Sequence, residues 1–345
     1  MRVAGRGGAS TLVGMASLRV GLNAYGIAYA TGFMGVGTPR ANREPLGMAG
    51  FIDLAMEIGA GAISLPMGWL GPLDEGERRA LADRLAGADV QLIVDGAVME
   101  HVEASLAMCE QMGAGLMRST LSTVLEGGRA ARGTEWHELV GRIPGVLQDA
   151  ARQAREMGVT IGLENHQDFT SAELAAFCDE AGDGMGICYD VGNALSVGED
   201  PVLFARTIAR HLALLHLKDY YVQWTDEGYR LVRCAIGSGA VAFEDVVEAL
   251  EDAGCAVAGM PALIESGALE NRHIRLLCDD WWEGYPARTA RDLAVGLAAA
   301  RRGLMDGDAD WRTPWEAGAD GDEIVAYEMG QLRESVANMK KLGWM

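Results

Sequence analysis

The chain has 345 residues, of which 49% are hydrophobic and 23% are charged, and its formal net charge is −20 at pH 7. This composition excludes disordered, collagen-like and coiled-coil chains, and so acidic a surface repels phosphate backbones and anionic lipid headgroups. We therefore expect neither a nucleic-acid partner nor a membrane partner. The six cysteines form no C-x-x-C pair, which favours reduced thiols and a cytoplasmic location.

The first 17 residues are interrupted by glycines and polar residues before any apolar core of signal-peptide length, and we interpret them as a flexible leader. No later stretch approaches the ~20 uninterrupted apolar residues that a membrane-spanning helix needs. The regular alternation of elements begins after this leader.

Eight short β-rich runs alternate with helical patterns between residues 18 and 304. The predicted strands are Leu18–Asn23, Ala62–Met67, Val90–Asp95, Leu116–Leu121, Thr160–Asn165, Gly186–Asp190, Ala213–Lys218 and Ala262–Ser266. Helical spacing predicts helices that include Glu44–Ile58, Glu75–Leu85, Glu100–Met112, His137–Met157, Ser171–Glu180, Phe243–Ala253 and Arg288–Arg302.

Strands that alternate strictly with helices pair in parallel through right-handed crossovers, and eight such units close into a barrel. The sequence therefore predicts an α/β fold, a (β/α)8 TIM barrel over residues 18–304. An open doubly wound sheet is the weaker alternative, because no G-x-G-x-x-G follows the first strand.

Three segments depart from a minimal barrel. Tyr220–Ala240 reads as a long polar and aromatic loop, and Ala268–Pro286 carries a cluster of aromatic residues after the eighth strand. Residues 305–345 form a predicted C-terminal helical extension with a helix over Asp322–Lys341. Loops on the carboxyl-terminal rim of a barrel usually shape the substrate pocket.

Strands five to eight each end in a residue that can bind a metal ion. These residues are Glu164, Asp190, His216 and Glu265. The first three are 26 residues apart, which is one βα unit each, so the same position on successive strands turns toward the barrel mouth. Three carboxylates and one imidazole suit a hard or borderline divalent cation. We expect Mn²⁺ first, with Mg²⁺, Co²⁺ or Zn²⁺ as alternatives.

These four segments resemble the xylose isomerase-like barrels, a superfamily of sugar isomerases, ketose 3-epimerases, inosose dehydratases and apurinic endonucleases. The resemblance covers residues 18–304 and includes the Ile236–Gly239 turn, IGSG. It implies that Glu164 and Glu265 both bind metal and flank the substrate carbon that exchanges a proton. The resemblance further implies a metal-dependent isomerase or epimerase that acts through an enediolate.

Two positions depart from the epimerase pattern. Asn193 stands where many epimerases have a substrate-contacting histidine, and no arginine follows His216 at the usual short distance. A lyase therefore remains an alternative, either the catalytic subunit of an enzyme like the C-glycoside deglycosidases, which eliminate an aglycone from a 3-oxo-glycoside, or an enzyme like inosose dehydratase. Such deglycosidases use a small partner subunit, so we expect either that complex or a homo-oligomer.

For other residues near the predicted barrel mouth, the sequence leaves two possible roles open. His166 and Lys218 lie two residues beyond a candidate ligand and either face the substrate or are ordinary rim residues. His137 is a candidate general acid. Trp281 and Trp282 either stack on a sugar or aglycone ring or pack within their loop. An apurinic endonuclease is disfavoured, because that function needs three metals, many histidines and a basic face. A non-catalytic binding barrel is also disfavoured, because all four candidate metal ligands are present.

Overall fold

The computed structural model describes residues 18–267 and 270–345, and its central feature is a closed barrel of parallel strands. The barrel strands are β1 (Arg19–Asn23), β2 (Ala62–Pro66), β3 (Gln91–Asp95), β4 (Leu116–Thr120), β5 (Thr160–Glu164), β6 (Met185–Asp190), β7 (Leu212–Leu217) and β10 (Pro261–Ile264). Their order around the barrel is β1-β10-β7-β6-β5-β4-β3-β2. The predicted fold class is confirmed, and each predicted strand is within two residues of the observed one. The predicted leader lies outside the described residues.

Helices surround the barrel. They are α1 (Gly47–Glu57), α2 (Met67–Leu70), α3 (Glu75–Gly87), α4 (Val102–Met112), α5 (Thr134–Glu156), α6 (Ser171–Ala181), α7 (Pro201–Ile208), α8 (Phe243–Asp252), α9 (Ala290–Ala300) and α10 (Gly321–Lys341). Helix α6 begins with a capping box between Thr170 and Glu173, and Gly182 ends it with a positive φ of 80°. None of the described helices is long and apolar enough to cross a membrane.

The segment predicted as a loop after β7 is instead a β-hairpin. Its strands are β8 (Asp219–Thr225) and β9 (Gly228–Cys234), and β11 (Arg272–Ile274) adds to β9, so that the three form a small antiparallel sheet. The loop prediction was wrong, because Tyr220, Val222 and Trp224 recur at every second residue, which is the period of a strand. We refer to β8, β9 and β11 as the small sheet.

The IGSG turn follows the small sheet and encloses the carboxylate of Asp219. The backbone N–H groups of Gly237 and Gly239 donate to Asp219 Oδ2 at 3.0 and 2.8 Å. A Cβ at residue 239 would lie 2.4 Å from the Tyr220 carbonyl oxygen, so only glycine fits there. The turn therefore anchors the start of β8 beside the end of β7.

The C-terminal helix α10 packs on loops at the carboxyl-terminal rim of the barrel. Glu328, which is fully buried, accepts hydrogen bonds from the N–H groups of Tyr29 and Ala30 at 3.3 and 2.7 Å. Ser335 accepts one from the N–H of Ile236 at 2.9 Å. These contacts tie the loop after β1 to the IGSG turn. The division into a barrel at 18–304 and an extension at 305–345 remains our proposal.

Candidate functional site

Four predicted ligands meet at the carboxyl ends of four neighbouring strands. Glu164 ends β5, Asp190 ends β6, His216 lies near the end of β7, and Glu265 directly follows β10. One ligand atom from each residue lies within 4.8 Å of those of the others, and no side chain of the four is more than 7% exposed. The structure therefore brings together all four residues that strand spacing had selected. We call these four residues the ligand set.

Each member of the ligand set keeps one buried atom that has no hydrogen-bond partner among the described residues. These atoms are Glu164 Oε1, Asp190 Oδ1, His216 Nδ1 and Glu265 Oε2. His216 Nδ1 lies 2.8 Å from Glu265 Oε2, yet the two atoms are not aligned as a hydrogen bond. A buried polar atom without a hydrogen bond is costly, and a divalent cation would satisfy the three carboxylate oxygens together with the ring nitrogen once that nitrogen has lost its proton. The residues present thus fit a bound divalent metal ion.

The other polar atoms of the ligand set are held by neighbouring side chains. Arg118 Nε donates to Glu164 Oε2. Lys218 Nζ donates to Asp190 Oδ2 and lies 2.7 Å from Glu265 Oε1. Contacts of this kind orient ligands and limit each carboxylate to one free oxygen.

On the far side of the imidazole, Asn23 from β1 holds His216. The Asn23 amide nitrogen lies 3.3 Å from His216 Nε2, and its amide oxygen accepts the N–H of Tyr25 at 2.7 Å. Because the amide oxygen is occupied by Tyr25, the amide NH₂ faces Nε2. This contact fixes the plane of the imidazole ring and turns Nδ1 toward the other ligands. With Nε2 accepting from the amide, the ring proton is on Nδ1, and a metal ion bound there would displace it.

The charge state of the glutamates is set by Arg118, Lys218 and the protonated form of His216. Burial alone would raise the pKa of Glu164, but Arg118 and His216 outweigh it and lower that pKa to about 2. Burial also opposes ionisation of Glu265, and there Lys218 and His216 hold the pKa well below its usual value. Both glutamates are therefore ionised at neutral pH, the form that binds a metal or accepts a proton.

Asp190 differs, because burial dominates its pKa and raises it to about 7 in spite of Lys218. Lys218 itself has a raised pKa: burial opposes its charge, but Asp190 and Glu265 more than compensate. Lys218 is thus a buried, charged ammonium that is ion-paired with Asp190 and Glu265 at the centre of the site.

Cys188 offers an alternative donor next to Glu164 and His216. Burial raises the pKa of its thiol to about 11, which keeps the sulfur protonated at neutral pH. The oxygen-rich set with Asp190 and Glu265 is the better cation site, because its carboxylates need no deprotonation of a thiol.

Asn193 lies behind Asp190. It is fully buried, its amide NH₂ donates to Asp190 Oδ2 at 2.6 Å, and its amide oxygen accepts the hydroxyl of Tyr220 at 3.0 Å. The geometry does not support Asn193 as a substrate-binding residue, the role expected from its place in the epimerase pattern. Both ends of its amide are occupied, so Asn193 positions the candidate ligand Asp190.

The two other histidines predicted at the site, His166 and His137, lie in different environments. His166 is half-buried beside Glu164, its Nδ1 has no partner among the described residues, and burial lowers its pKa to about 4. His137 is exposed in the first turn of α5, and no hydrogen bond or ion pair joins it to the ligand set in the described part of the chain. The predicted general-acid role of His137 therefore has no support in its position.

Trp281 and Trp282 follow the second of their predicted readings, packing within the loop. The indole N–H of Trp281 donates to the Glu126 carbonyl at 2.9 Å, and its ring stacks on Tyr285 at 4.6 Å. The indole N–H of Trp282 donates to the Leu276 carbonyl at 2.9 Å. Trp281 is only 4% exposed, so this ring belongs to a core between rim loops and offers no open stacking face.

Sequence reasoning missed three polar residues of the opposite strands, Asn23, Asp95 and Arg118. Each lies at or near the end of its strand, as the predicted ligands do. Asp95 is buried, both of its oxygens lack partners in the described chain, and burial raises its pKa. The available signal was the same one that identified the ligands: a polar residue that ends an apolar strand, as in LIVD and LMRST.

Comparison with known proteins agrees with this architecture. The model of the xylose isomerase-like TIM barrel family matches residues 52–270. The chain is 22% identical over 178 residues to YihM of Escherichia coli (strain K12), which is 51% of this chain and 52% of that protein. It is 22% identical over 209 residues to 3-oxo-isoapionate decarboxylase of Pectobacterium atrosepticum, which is 58% of this chain and 72% of that protein. The first of these matches thus spans about half of its relative.

Solved structures with the same fold include a D-psicose 3-epimerase crystallised in the presence of D-fructose, at a TM-score of 0.53 and 14% identity over 92% of this chain and 97% of that one. They also include the IOLI protein with a bound zinc atom, at a TM-score of 0.51 and 12% identity over 83% and 96%. At these identities the likeness establishes the fold alone. The neighbours nevertheless include sugar epimerases and a metal-binding protein.

Proposed function

Because the chain belongs to the xylose isomerase-like TIM barrel family, we propose that it is a divalent-metal-dependent isomerase or epimerase of a sugar-like substrate. It removes a proton from a carbon next to a carbonyl and forms an enediolate. The observation that carries this proposal is the ligand set, in which four buried residues each leave one polar atom without a partner. Mn²⁺ is the cation we propose first, with Mg²⁺, Co²⁺ and Zn²⁺ as alternatives.

A divalent ion held by the ligand set would supply positive charge next to the oxygens on which an enediolate accumulates negative charge. Glu164 and Glu265 come from the outer two of four adjacent strands, so they approach a substrate from different sides. Both are ionised at neutral pH, as a general base must be. We assign them the removal and return of the proton.

Lys218 and Arg118 complete the proposed machinery. Each cation is bound to a glutamate of the ligand set and is largely withdrawn from solvent, with side-chain exposures of 1% and 12%. A fixed cation in such a site stabilises a developing oxyanion more strongly than it would in water. We assign Lys218 this role, because it lies between Asp190 and Glu265.

A lyase that uses the same site is the second candidate. It is favoured by the similarity to 3-oxo-isoapionate decarboxylase and by Asn193, which is turned away from the mouth. Loss of CO₂ from the carbon next to a carbonyl leaves its electron pair as the same enediolate. An aglycone or water instead leaves, with its bonding electrons, from the following carbon after the proton next to the carbonyl has been removed. Under this candidate the enzyme either eliminates an aglycone from a 3-oxo-glycoside or dehydrates a substrate as inosose dehydratase does. We propose that the aglycone-eliminating enzyme would work with a small partner subunit. If there is no partner subunit, we propose a homo-oligomer.

The test is a comparison of metal-free and Mn²⁺-loaded protein in D₂O, with a panel of free ketoses and 3-oxo-glycosides. We expect Mn²⁺ to raise the melting temperature, since a ligand that binds only the folded state stabilises it. We also expect the loaded protein to carry solvent deuterium into the carbon next to the carbonyl. Release of an aglycone or of CO₂ without exchange into intact substrate would move the assignment to the lyase. No stabilisation by any of the four cations would overturn the metal-dependent proposal.

A further inference from the structure

Two arginines share the inner face of the small sheet. The register pairs Arg233 of β9 with Tyr220 of β8, and Leu231 of β9 with Arg272 of β11. Residues paired across antiparallel strands lie on the same face, and so do residues two apart along one strand. Arg233 and Arg272 are therefore diagonal neighbours on the face that also carries the buried side chain of Tyr220.

Both guanidinium groups are short of partners. Arg272 is 8% exposed and its Nε is buried without a hydrogen-bond partner in the described chain; the Nε of half-buried Arg233 is in the same state. Arg233 donates to the carbonyl of Gly267 at 2.9 Å, a neutral acceptor. Within the described part of the chain, Arg272 forms an ion pair with Glu270 at 3.5 Å, and the Glu270 side chain is 54% exposed.

A buried cation beside a half-buried one is unfavourable unless an anion joins them. The mutual effect is visible at Arg272, whose pKa burial lowers first and Arg233 lowers further. Guanidinium groups bind carboxylate and phosphate through paired N–H donors, and the two free Nε–H groups supply such donors. The arrangement is that of an anion subsite.

This pair lies next to the ligand set. Gly267, which binds Arg233, is two residues beyond Glu265. Tyr220, which is paired with Arg233, donates to Asn193, and Asn193 in turn donates to Asp190. A substrate with its oxygens at the ligand set would therefore have one end near the small sheet.

We propose that Arg233 and Arg272 form a subsite for an anionic group of the substrate, a carboxylate or a phosphate, so that the substrate is a sugar acid or a sugar phosphate. This inference rests on the proposed function, since it places the reacting carbon at the ligand set. It goes beyond that function by naming the charge of the substrate and the residues that select it.

The experiment measures binding to Mn²⁺-loaded protein by calorimetry, with D-fructose, D-gluconate and D-fructose 6-phosphate as neutral, carboxylate and phosphate probes. The variants are Arg233→Gln, Arg272→Gln and the charge-retaining Arg272→Lys. Arg230→Gln is the matched control, because Arg230 is on the opposite face of β9, where it donates to Gln223 and stacks on Trp311.

We expect at least one anionic probe to bind about tenfold or more tightly than D-fructose, and which one it is tells carboxylate from phosphate. Each glutamine variant should lose about 10- to 100-fold in affinity for that probe, the range of charge-assisted hydrogen bonds. Arg230→Gln should lose none, and Arg272→Lys should retain part of the affinity. Circular dichroism and melting temperature verify that each variant folds, and Arg233→Gln carries the test if Arg272→Gln does not.

Equal binding of all three probes, or anion binding that neither glutamine variant weakens, would overturn the subsite. Deuterium exchange separates this result from a failure of the proposed function. Exchange into a neutral ketose without preference for anions leaves the proposed function standing and removes the subsite. Anion binding that depends on Arg233 and Arg272 without exchange in any probe does the reverse.

Discussion

The two halves of the barrel differ in what they bring to its mouth. The half formed by β5, β6, β7 and β10 carries the ligand set, whereas the half formed by β1 to β4 carries Asn23, Asp95 and Arg118. Members of the first half each leave one atom free. Asn23 and Arg118 of the second half bind an atom of the first that would otherwise also be free. The first half therefore supplies the atoms that can bind a cation, and the second half orients the side chains that carry these atoms.

Lys218 does not follow this division of roles between the two halves of the barrel. It belongs to the ligand half, since it follows β7, yet it acts on Asp190 and Glu265 as Arg118 acts on Glu164. The two cations therefore act at opposite ends of the ligand set. Asp190 and Glu265 thus receive their counter-charge from a lysine in their own half of the barrel, whereas Glu164 receives it from Arg118 in the other half.

The largest expected effect on turnover comes from substituting a residue of the ligand set itself. Glu265→Gln removes one proposed ligand and the proposed proton carrier in one step, so we expect turnover to fall by about 1,000-fold or more while the fold is retained. Glu248→Gln, on the exposed face of α8, is the matched control and should leave turnover unchanged. Turnover under saturating substrate and far-ultraviolet circular dichroism are the measurements. Full activity in Glu265→Gln would remove Glu265 from the mechanism.

A substitution in the half formed by β1 to β4 tests whether that half orients the ligand set. Arg118→Gln removes the cation that lowers the pKa of Glu164, so this pKa rises. Because metal binding needs the carboxylate, we expect Mn²⁺ affinity to fall by about 10- to 100-fold, with a loss that grows as the pH is lowered. In the native protein, the Glu164 contribution is lost only as the pH falls toward about 2.

Mn²⁺ titrations at several pH values measure this effect. The control is Arg79→Gln, because Arg79 is exposed and forms its ion pair with Glu75 within α3. An Arg118→Gln protein with native affinity and a native pH profile would show that the far half does not tune the ligand set.

A smaller effect is expected behind Asp190. Asn193→Ala removes the 2.6 Å hydrogen bond to Asp190 Oδ2 but leaves Lys218 in place. We expect Mn²⁺ affinity to fall by about tenfold. Tyr220→Phe, which removes only the hydroxyl that holds Asn193, should act in the same direction and less strongly. If both variants bind Mn²⁺ as the native protein does, Asn193 has no positioning role.

The smallest effect lies outside the ligand set, at Asp168. Burial raises its pKa from 3.8 in the reference state to about 7, although Ser122 and the N–H of Phe169 donate to it. A raised folded-state pKa contributes stability that is present below the unfolded pKa and is lost as the pH rises through about 7. Asp168→Asn abolishes that loss.

We therefore expect Asp168→Asn to be stabilised relative to the native chain by on the order of 1–3 kcal/mol more at about pH 8 than at about pH 5. Denaturant unfolding at the two pH values measures the difference. A constant difference between the two proteins would mean that Asp168 titrates normally. Because Asp168 lies beyond the end of β5, turnover in this variant should stay close to native.

The sequence by itself determined the barrel and the ligand set. Apolar strands alternate with helices of regular length, and spacings of 26 residues place Glu164, Asp190 and His216 at equivalent strand ends. These features depend on local periodicity, which a single chain displays directly. The same reasoning could have identified Asp95 and Arg118, since they too stand at strand ends.

Only the tertiary structure decided how these residues are used. That Arg118 binds Glu164 and that Lys218 bridges Asp190 and Glu265 depend on distances between strands 28 or more residues apart in sequence. That Asn193 faces Asp190, three residues before it, depends on the turn that follows β6. The small sheet aligns Arg233 with Arg272 through strand register, and Trp281 is buried because Glu126 and Tyr285 close around it. Sequence periodicity fixes which face a residue is on, whereas its partner is chosen by packing between segments that are distant along the chain.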